Sequence, residues 1–232
     1  MTTLNAFELT GRTRSHICHL ENPECELHRG VAAAWENLRR AAGEEGFDLT
    51  PYSAFRDFEA QVRIWNDKYD GRRPLYDRDG TPLDRDTLSE SELVDRILYW
   101  SALPGGSRHH WGSDLDVIDA AAIRADYQVR LMPEEYGPGG VFHRLKLWLD
   151  NHLESFGFFR PYAQEQGGVS AEPWHISFLP VSESALDALS VEILEEAIRA
   201  SSIRGKRPIL DALPRLYEQY VTNIVPPDAQ GL

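Results

Sequence analysis

Apolar residues recur at helical spacing over several stretches of the chain. Val31, Trp35, Leu38 and Ala42 form one stripe within residues 28–45, and Gly46 is the stop. Phe58, Val62, Trp65 and Tyr69 predict a second helix directly after Arg56. Ser89-x-x-Glu92 is a capping box, whose two side chains satisfy free backbone N–H groups at a helix start. It opens a helix through Leu93, Ile97 and Trp100, which Pro104-Gly105-Gly106 ends. Phe142, Leu145, Trp148, Leu149 and His152 mark a further helix, stopped near Gly157.

Other stretches follow the two-residue period of a strand. Phe47–Phe55 is strand-like, and Tyr127, Val129 and Leu131 alternate as one more strand. In Leu115-Asp116-Val117-Ile118 the alternation places Asp114 and Asp116 on one face. Gly167-Gly168 turns the chain towards Glu172. Trp174-His175-Ile176-Ser177-Phe178 then reads as a strand, with Trp174, Ile176 and Phe178 towards the core and His175 opposite. Residues 67–86, rich in Asp and Arg and broken by Gly71, Pro74, Gly80 and Pro82, read as a solvated loop, with a lid over a cleft as the sharper alternative.

From Val181 onward the character changes. Leu186, Leu189, Ile193, Ala197 and Ile198 predict helix, as do Leu210, Leu213, Leu216, Tyr217, Tyr220 and Ile224, with an interruption at Pro214. The whole is an α+β enzyme pattern, with a first domain over residues 1–180 (core 47–180) and a helical C-terminal extension over 181–232 packed on it.

Composition narrows the class. With 232 residues, 42% hydrophobic, and six tryptophans, the chain can bury a full core. A formal charge of -13 argues against a nucleic-acid backbone or an anionic membrane as the main partner. No apolar run approaches a membrane span, and the start lacks a basic region followed by an apolar one. The expected location is therefore the cytoplasm. Action in the periplasm or cell wall would need another export route. Oligomeric state is not legible.

The chemistry concentrates in Ser107-Arg108-His109-His110-Trp111-Gly112-Ser113-Asp114-Leu115-Asp116 and Glu172-Pro173-Trp174-His175. Two histidines and an aspartate make a three-ligand metal site with an open position, as a catalytic zinc requires. Either Asp114 or Asp116 could approach the metal. Regular alternation would separate Glu172 from His175, so Glu172 must sit just before the strand, and Pro173 favours that irregular entry. His143 and His152 read as packing or solvated residues, and Trp111 and Trp174 as walls and core before substrate platforms. The cluster His16, Cys18, His19, Cys25, His28 matches no common metal spacing. It favours free, partly buried thiols over a disulfide, and a disulfide over a metal.

Ser107-x-His109-x-x-Gly112-x-x-x-Asp116 followed by Glu172-x-Trp174-His175 resembles the zinc D-alanyl-D-alanine carboxypeptidases of the VanY type. Ser53-Ala54-Phe55-Arg56-Asp57-Phe58-Glu59-Ala60-Gln61 is similar to that family's arginine segment. The resemblance spans about residues 50–180. It implies a small antiparallel sheet carrying Zn²⁺ on His109, Asp116 and His175, with helices around it. Glu172 would be general base and acid, Arg56 would hold the scissile carbonyl, and Ser107, Gln61 and Trp174 would contact the substrate. Spacing selects His109 over His110 and favours Asp116 over Asp114; many members carry alanine at the latter position. The implied reaction is release of the terminal D-alanine from peptidoglycan-type peptides. The alternatives are an endopeptidase on the same site and a non-catalytic zinc-bearing module.

Overall fold

A computed structural model describes residues 3–78 and 80–227. After a short helix α1 (Ala6–Leu9) the chain makes a hairpin, β1 (Ile17–Glu21) and β2 (Glu24–His28). Helix α2 (Ala32–Glu44), strand β3 (Leu49–Ser53) and helix α3 (Phe58–Tyr69) follow. Two-residue strands β4 (Leu75–Tyr76) and β5 (Pro82–Leu83) pair ahead of α4 (Glu90–Trp100). Then come β6 (Asp114–Asp119), α5 (Pro133–Tyr136), α6 (His143–His152), β7 (Phe158–Phe159) and β8 (His175–Phe178). The chain ends in α7 (Leu179–Ala188), α8 (Val191–Ala200), α9 (Lys206–Asp211), α10 (Leu213–Leu216) and a π-helical turn at Tyr217–Val221.

The central sheet is antiparallel in the order β3-β6-β8-β7. Its register explains the site. Leu115 pairs with Ile176, and both join Val117 and Phe178 in a cluster with Trp35 and Leu38 of α2 and Leu145 and Leu149 of α6. The pleat sends the alternate residues to the other face. There Asp116 lies opposite Ser53 on one side and His175 on the other, while Asp114 lies opposite Ser177.

Local chemistry fixes the flanking elements. The Asp57 carboxylate caps α3 by accepting from the Ala60 N–H at 2.7 Å, and the Ser89–Glu92 capping box starts α4 as its sequence predicts. A second large cluster joins Trp65 of α3, Leu93, Ile97 and Leu98 of α4, and Leu194, Ile198, Leu213 and Leu216 of the C-terminal helices. The C-terminal helices thus share one core with the elements that frame the site.

Four sequence expectations differ from the fold. The segment Tyr127–Leu131 is not a strand. The buried Glu135 carboxylate accepts from the Tyr127 hydroxyl and from the Arg130 and Met132 N–H groups, so a side chain replaces the missing ladder partner. Helix α2 begins at Ala32, because His28 still closes the hairpin. Residues 67–86 hold the β4–β5 pair, and Leu75 is buried in the large cluster. The interruption expected at Pro214 falls at Ala212, between α9 and α10, and Pro214 stands in the first turn of α10, where its missing N–H costs nothing.

Gly112 shows how closely the hairpin is fitted to the site. It adopts φ +66°, and a Cβ there would lie 2.5 Å from Ile17 Cδ1 and 2.6 Å from the His28 nitrogen. Gly112→Ala combines left-handed backbone strain with overpacking, so it should cost about 2–4 kcal/mol of stability. Denaturant unfolding of the two proteins measures this, and equal midpoints would refute it.

Candidate metal centre

Three elements deliver the candidate ligands. A 3₁₀ turn at Arg108–Trp111 presents His109, β6 presents Asp116, and the first residue of β8 is His175. All three are nearly out of water, and one donor atom from each lies within 4.8 Å of the others. His109 Nδ1 is 2.9 Å from the Ala54 carbonyl, so this nitrogen carries the proton and Nε2 turns inward, 3.4 Å from Asp116 Oδ2. His175 is held the other way round. Its Nε2 donates to Asp114 Oδ1 at 2.9 Å, which leaves Nδ1 facing Asp116 Oδ1 at 3.2 Å and Glu172 Oε2 at 3.3 Å.

Asp114 and Asp116 therefore occupy opposite sides of one imidazole. Asp114 is fully buried, accepts from Arg108 Nε at 2.8 Å and from the Ser113 hydroxyl, and stands behind His175. Asp116 stands in front, between the two histidines. The carboxylate–histidine contact fixes the ring and raises its basicity, as partners behind a metal ligand commonly do.

The donor set fits a zinc ion. Ligands about 2.1 Å from a tetrahedral ion stand roughly 3.4 Å apart; here His109 Nε2 lies 3.4 Å from Asp116 Oδ2 and His175 Nδ1 lies 3.2 Å from Asp116 Oδ1, each imidazole facing its own carboxylate oxygen. Asp116 Oδ1 is buried with no hydrogen-bond partner despite its approach to His175, an orphaned acceptor that a cation would satisfy. Charge points the same way. Burial works against an ionised Asp116, but His109 and His175 override it and hold its pKa well below the usual carboxylate range. Burial likewise opposes a protonated His175, yet Asp114, Asp116 and Glu172 outweigh it and raise that pKa well above a free histidine's. The pocket demands a positive charge between its carboxylates.

Glu172 approaches the same space because the chain turns before β8. The His175 N–H donates to the Glu172 carbonyl at 3.1 Å, so residues 172–175 form a turn and the alternation starts only at His175. Glu172 keeps 15% of its side-chain surface in water, more than either histidine or Asp116. Arg56 is clamped from both ends. Its guanidinium donates to Gln61 Oε1 at 2.9 Å and Ser53 Oγ at 2.7 Å, its N–H donates to the His109 carbonyl, and its own carbonyl accepts from His110 Nδ1. Burial lowers the Arg56 pKa against the pull of Asp116 and Glu172, and its partner Ser53 lies opposite Asp116 in the sheet.

His110 is a structural residue. The Gly105 N–H donates to its Nε2 at 3.0 Å, so Nδ1 carries the proton, and burial pushes its pKa down to about 3. Ser107 is buried next to His109 in the chain, and its hydroxyl finds no protein partner. His143 and His152 bond to the Tyr136 and Trp148 carbonyls away from the site.

Two residues expected to contact substrate lie in the interior. Gln61 is fully buried, with its carbonyl accepting from Arg56 and its amide donating to the Ala102 carbonyl at 2.7 Å, so it positions Arg56 from the interior. Trp174 is 4% exposed and packs against Tyr136 in a small cluster with Ile118 and Phe142. Trp174 thus packs with Ile118, which shares the Asp116 face of β6, and not with the Ile176 cluster on the opposite face. Cys18 and Cys25 are free thiols, and burial pushes Cys25 up to about 11. Among the described residues, His109, Asp116 and His175 are the one group arranged to hold a metal; the N-terminal histidines and cysteines do not assemble one.

Residues that the sequence alone did not single out complete the surroundings. Arg108, 1% exposed at its side chain, links Asp114 to Ser177 Oγ. Tyr162 packs edge-on to His175 at 5.0 Å, and burial pushes its pKa up to about 12. A charged residue next to a ligand in an otherwise buried run was the available signal for Arg108.

Two imidazoles and one carboxylate, with a second carboxylate beside them, form a candidate site for a single metal ion. The family model for VanY, D-alanyl-D-alanine carboxypeptidase, matches residues 24–181, and the chain belongs to that family. It is 35% identical over 121 residues to an uncharacterized protein of Haemophilus influenzae, covering 51% of this chain and 92% of that protein. A second uncharacterized protein of that organism is 39% identical over 98 residues, covering 41% of this chain and 67% of the relative. Among solved structures, the fold is similar to VanYB in complex with D-Alanine-D-Alanine, with TM-score 0.52, 21% identity, and coverage of 80% of this chain and 89% of that one. It is also similar to a zinc complex of a mutant of the vancomycin-resistance D,D-pentapeptidase VanY, with TM-score 0.51, 20% identity, and coverage of 80% and 92%. No helix among the described residues is long and apolar enough to cross a membrane.

Proposed function

We propose that this chain is a zinc-dependent D-alanyl-D-alanine carboxypeptidase that removes the terminal D-alanine from peptidoglycan-type peptides. The observation that carries the reading is the inward convergence of His109 Nε2, Asp116 and His175 Nδ1, with Glu172 3.3 Å from the last. His109, Asp116 and His175 would hold the ion, and the zinc complex of the similar VanY structure favours zinc as its identity. Bound zinc supplies a Lewis acid and lowers the pKa of a coordinated water from 15.7 to about 7.

The chain's own groups do the rest. Glu172 takes the proton from the attacking water and returns it to the amine that leaves when the C–N bond breaks. Arg56, held on Gln61 and Ser53, aims a fixed positive charge at the oxygen that gains negative charge. The unpartnered Ser107 hydroxyl is available to a peptide polar group. Asp114 keeps His175 turned with Nδ1 inward.

The test uses metal-quantified protein and a D-Ala-D-Ala-terminated muramyl pentapeptide. Free D-alanine should appear, stop on chelation and return when zinc is restored. Zinc-loaded protein that binds the peptide without releasing D-alanine would overturn the reading.

A further inference from the structure

One cation near the site has no role in the scheme above. Lys68 lies seven residues after Gln61 on α3, two turns along the same face. Helical side chains lean towards the N-terminus, so that of Lys68 runs back towards Gln61. Its Nζ donates to Ser101 Oγ at 2.7 Å, and the next residue, Ala102, holds the Gln61 amide. Segment 101–102 therefore ties Lys68 to Gln61 and, through the Gln61 carbonyl, to Arg56. Both Glu172 and Arg56 act on the Lys68 charge.

Among the described residues, no carboxylate stands within ion-pair distance of Lys68, whereas neighbouring Arg73 reaches Asp67 at 3.6 Å. Burial, with Arg73 and Arg56 adding repulsion, lowers its pKa to about 8. A partly desolvated ammonium kept without a counter-ion is costly, and a bound anion removes that cost.

We propose that Lys68 determines specificity by pairing with the free terminal carboxylate of the peptide, directing the site to chain ends over internal bonds. The inference rests on the carboxypeptidase reading. The test compares the free-acid pentapeptide with its C-terminal amide on the zinc-loaded full chain, for wild type, Lys68→Met and Lys68→Arg. Wild type should prefer the free acid, and Lys68→Met should raise KM for it by about 10- to 100-fold, the range for a hydrogen bond between charged partners. The preference over the amide should collapse in Lys68→Met and largely return in Lys68→Arg, with zinc content unchanged. A purely structural Lys68 would change both peptides alike and leave their ratio intact, which would overturn the proposal. If wild type cleaves neither peptide, the carboxypeptidase reading itself fails and the proposal falls with it. Cleavage of both without preference overturns the role of Lys68 alone.

Discussion

Replacing Glu172 by alanine is expected to leave the zinc content and unfolding midpoint unchanged while lowering kcat by about 10²–10⁴-fold, the usual worth of a general base. The geometry separates the two effects. Glu172 lies outside the three-residue group whose donor atoms converge, yet its Oε2 is 3.3 Å from His175 Nδ1. It is also the most water-exposed acid of the centre, as a group that must exchange protons with water and product should be. Zinc analysis on the purified variant, steady-state release of D-alanine and thermal unfolding give the three readings. Loss of zinc together with activity would make Glu172 a ligand, and undiminished kcat would remove it from the mechanism.

The site was largely legible because its chemistry is tied to short-range pattern. Strand alternation placed Asp114 and Asp116 on one face, and the fold keeps both on the face away from Leu115 and Val117. The need for an irregular entry before β8 also followed from alternation, since Glu172 and His175 could not otherwise meet. What stayed hidden depends on partners distant in sequence. Gln61 and Trp174 belong to types that often meet substrate, but Ala102 and Arg56 claim the first and Tyr136 the second. Arg108 gains its meaning only from Asp114 and Ser177 across the sheet.

The same logic covers the fold. The apolar stripes of α2, α3 and α4 are dense enough to predict helices unaided. Hairpin β1–β2 was hidden behind the cluster His16, Cys18, His19, Cys25 and His28, although Cys25 and Leu27 alternate as core residues with Glu24, Glu26 and His28. Tyr127, Val129 and Leu131 alternate just as well, and no strand forms, since alternation does not supply a neighbour to pair with. Glu135 supplies the hydrogen bonds that a neighbouring strand would have given.

Asp114→Asn should weaken both the fold and the metal site, and it tests whether the two are built as one unit. Asparagine keeps the shape and one acceptor oxygen, so His175 Nε2 and Arg108 Nε could still donate to it. The negative charge is lost. Arg108, with a side chain 1% exposed, would then be a buried cation without its counter-ion, a defect of about 3–5 kcal/mol. The imidazole would also lose the carboxylate that raises its basicity, which typically costs 10–100-fold in metal affinity. Denaturant unfolding of the zinc-free proteins isolates the first effect, and competition with a chromophoric chelator isolates the second. Reduced stability with unchanged zinc affinity would mean that Asp114 serves Arg108 alone and that His175 is oriented by its packing against Tyr162. Loss of both would show that the buried Arg108–Asp114–His175 chain carries support from the sheet interior to the metal, since one removed charge reaches both ends of it.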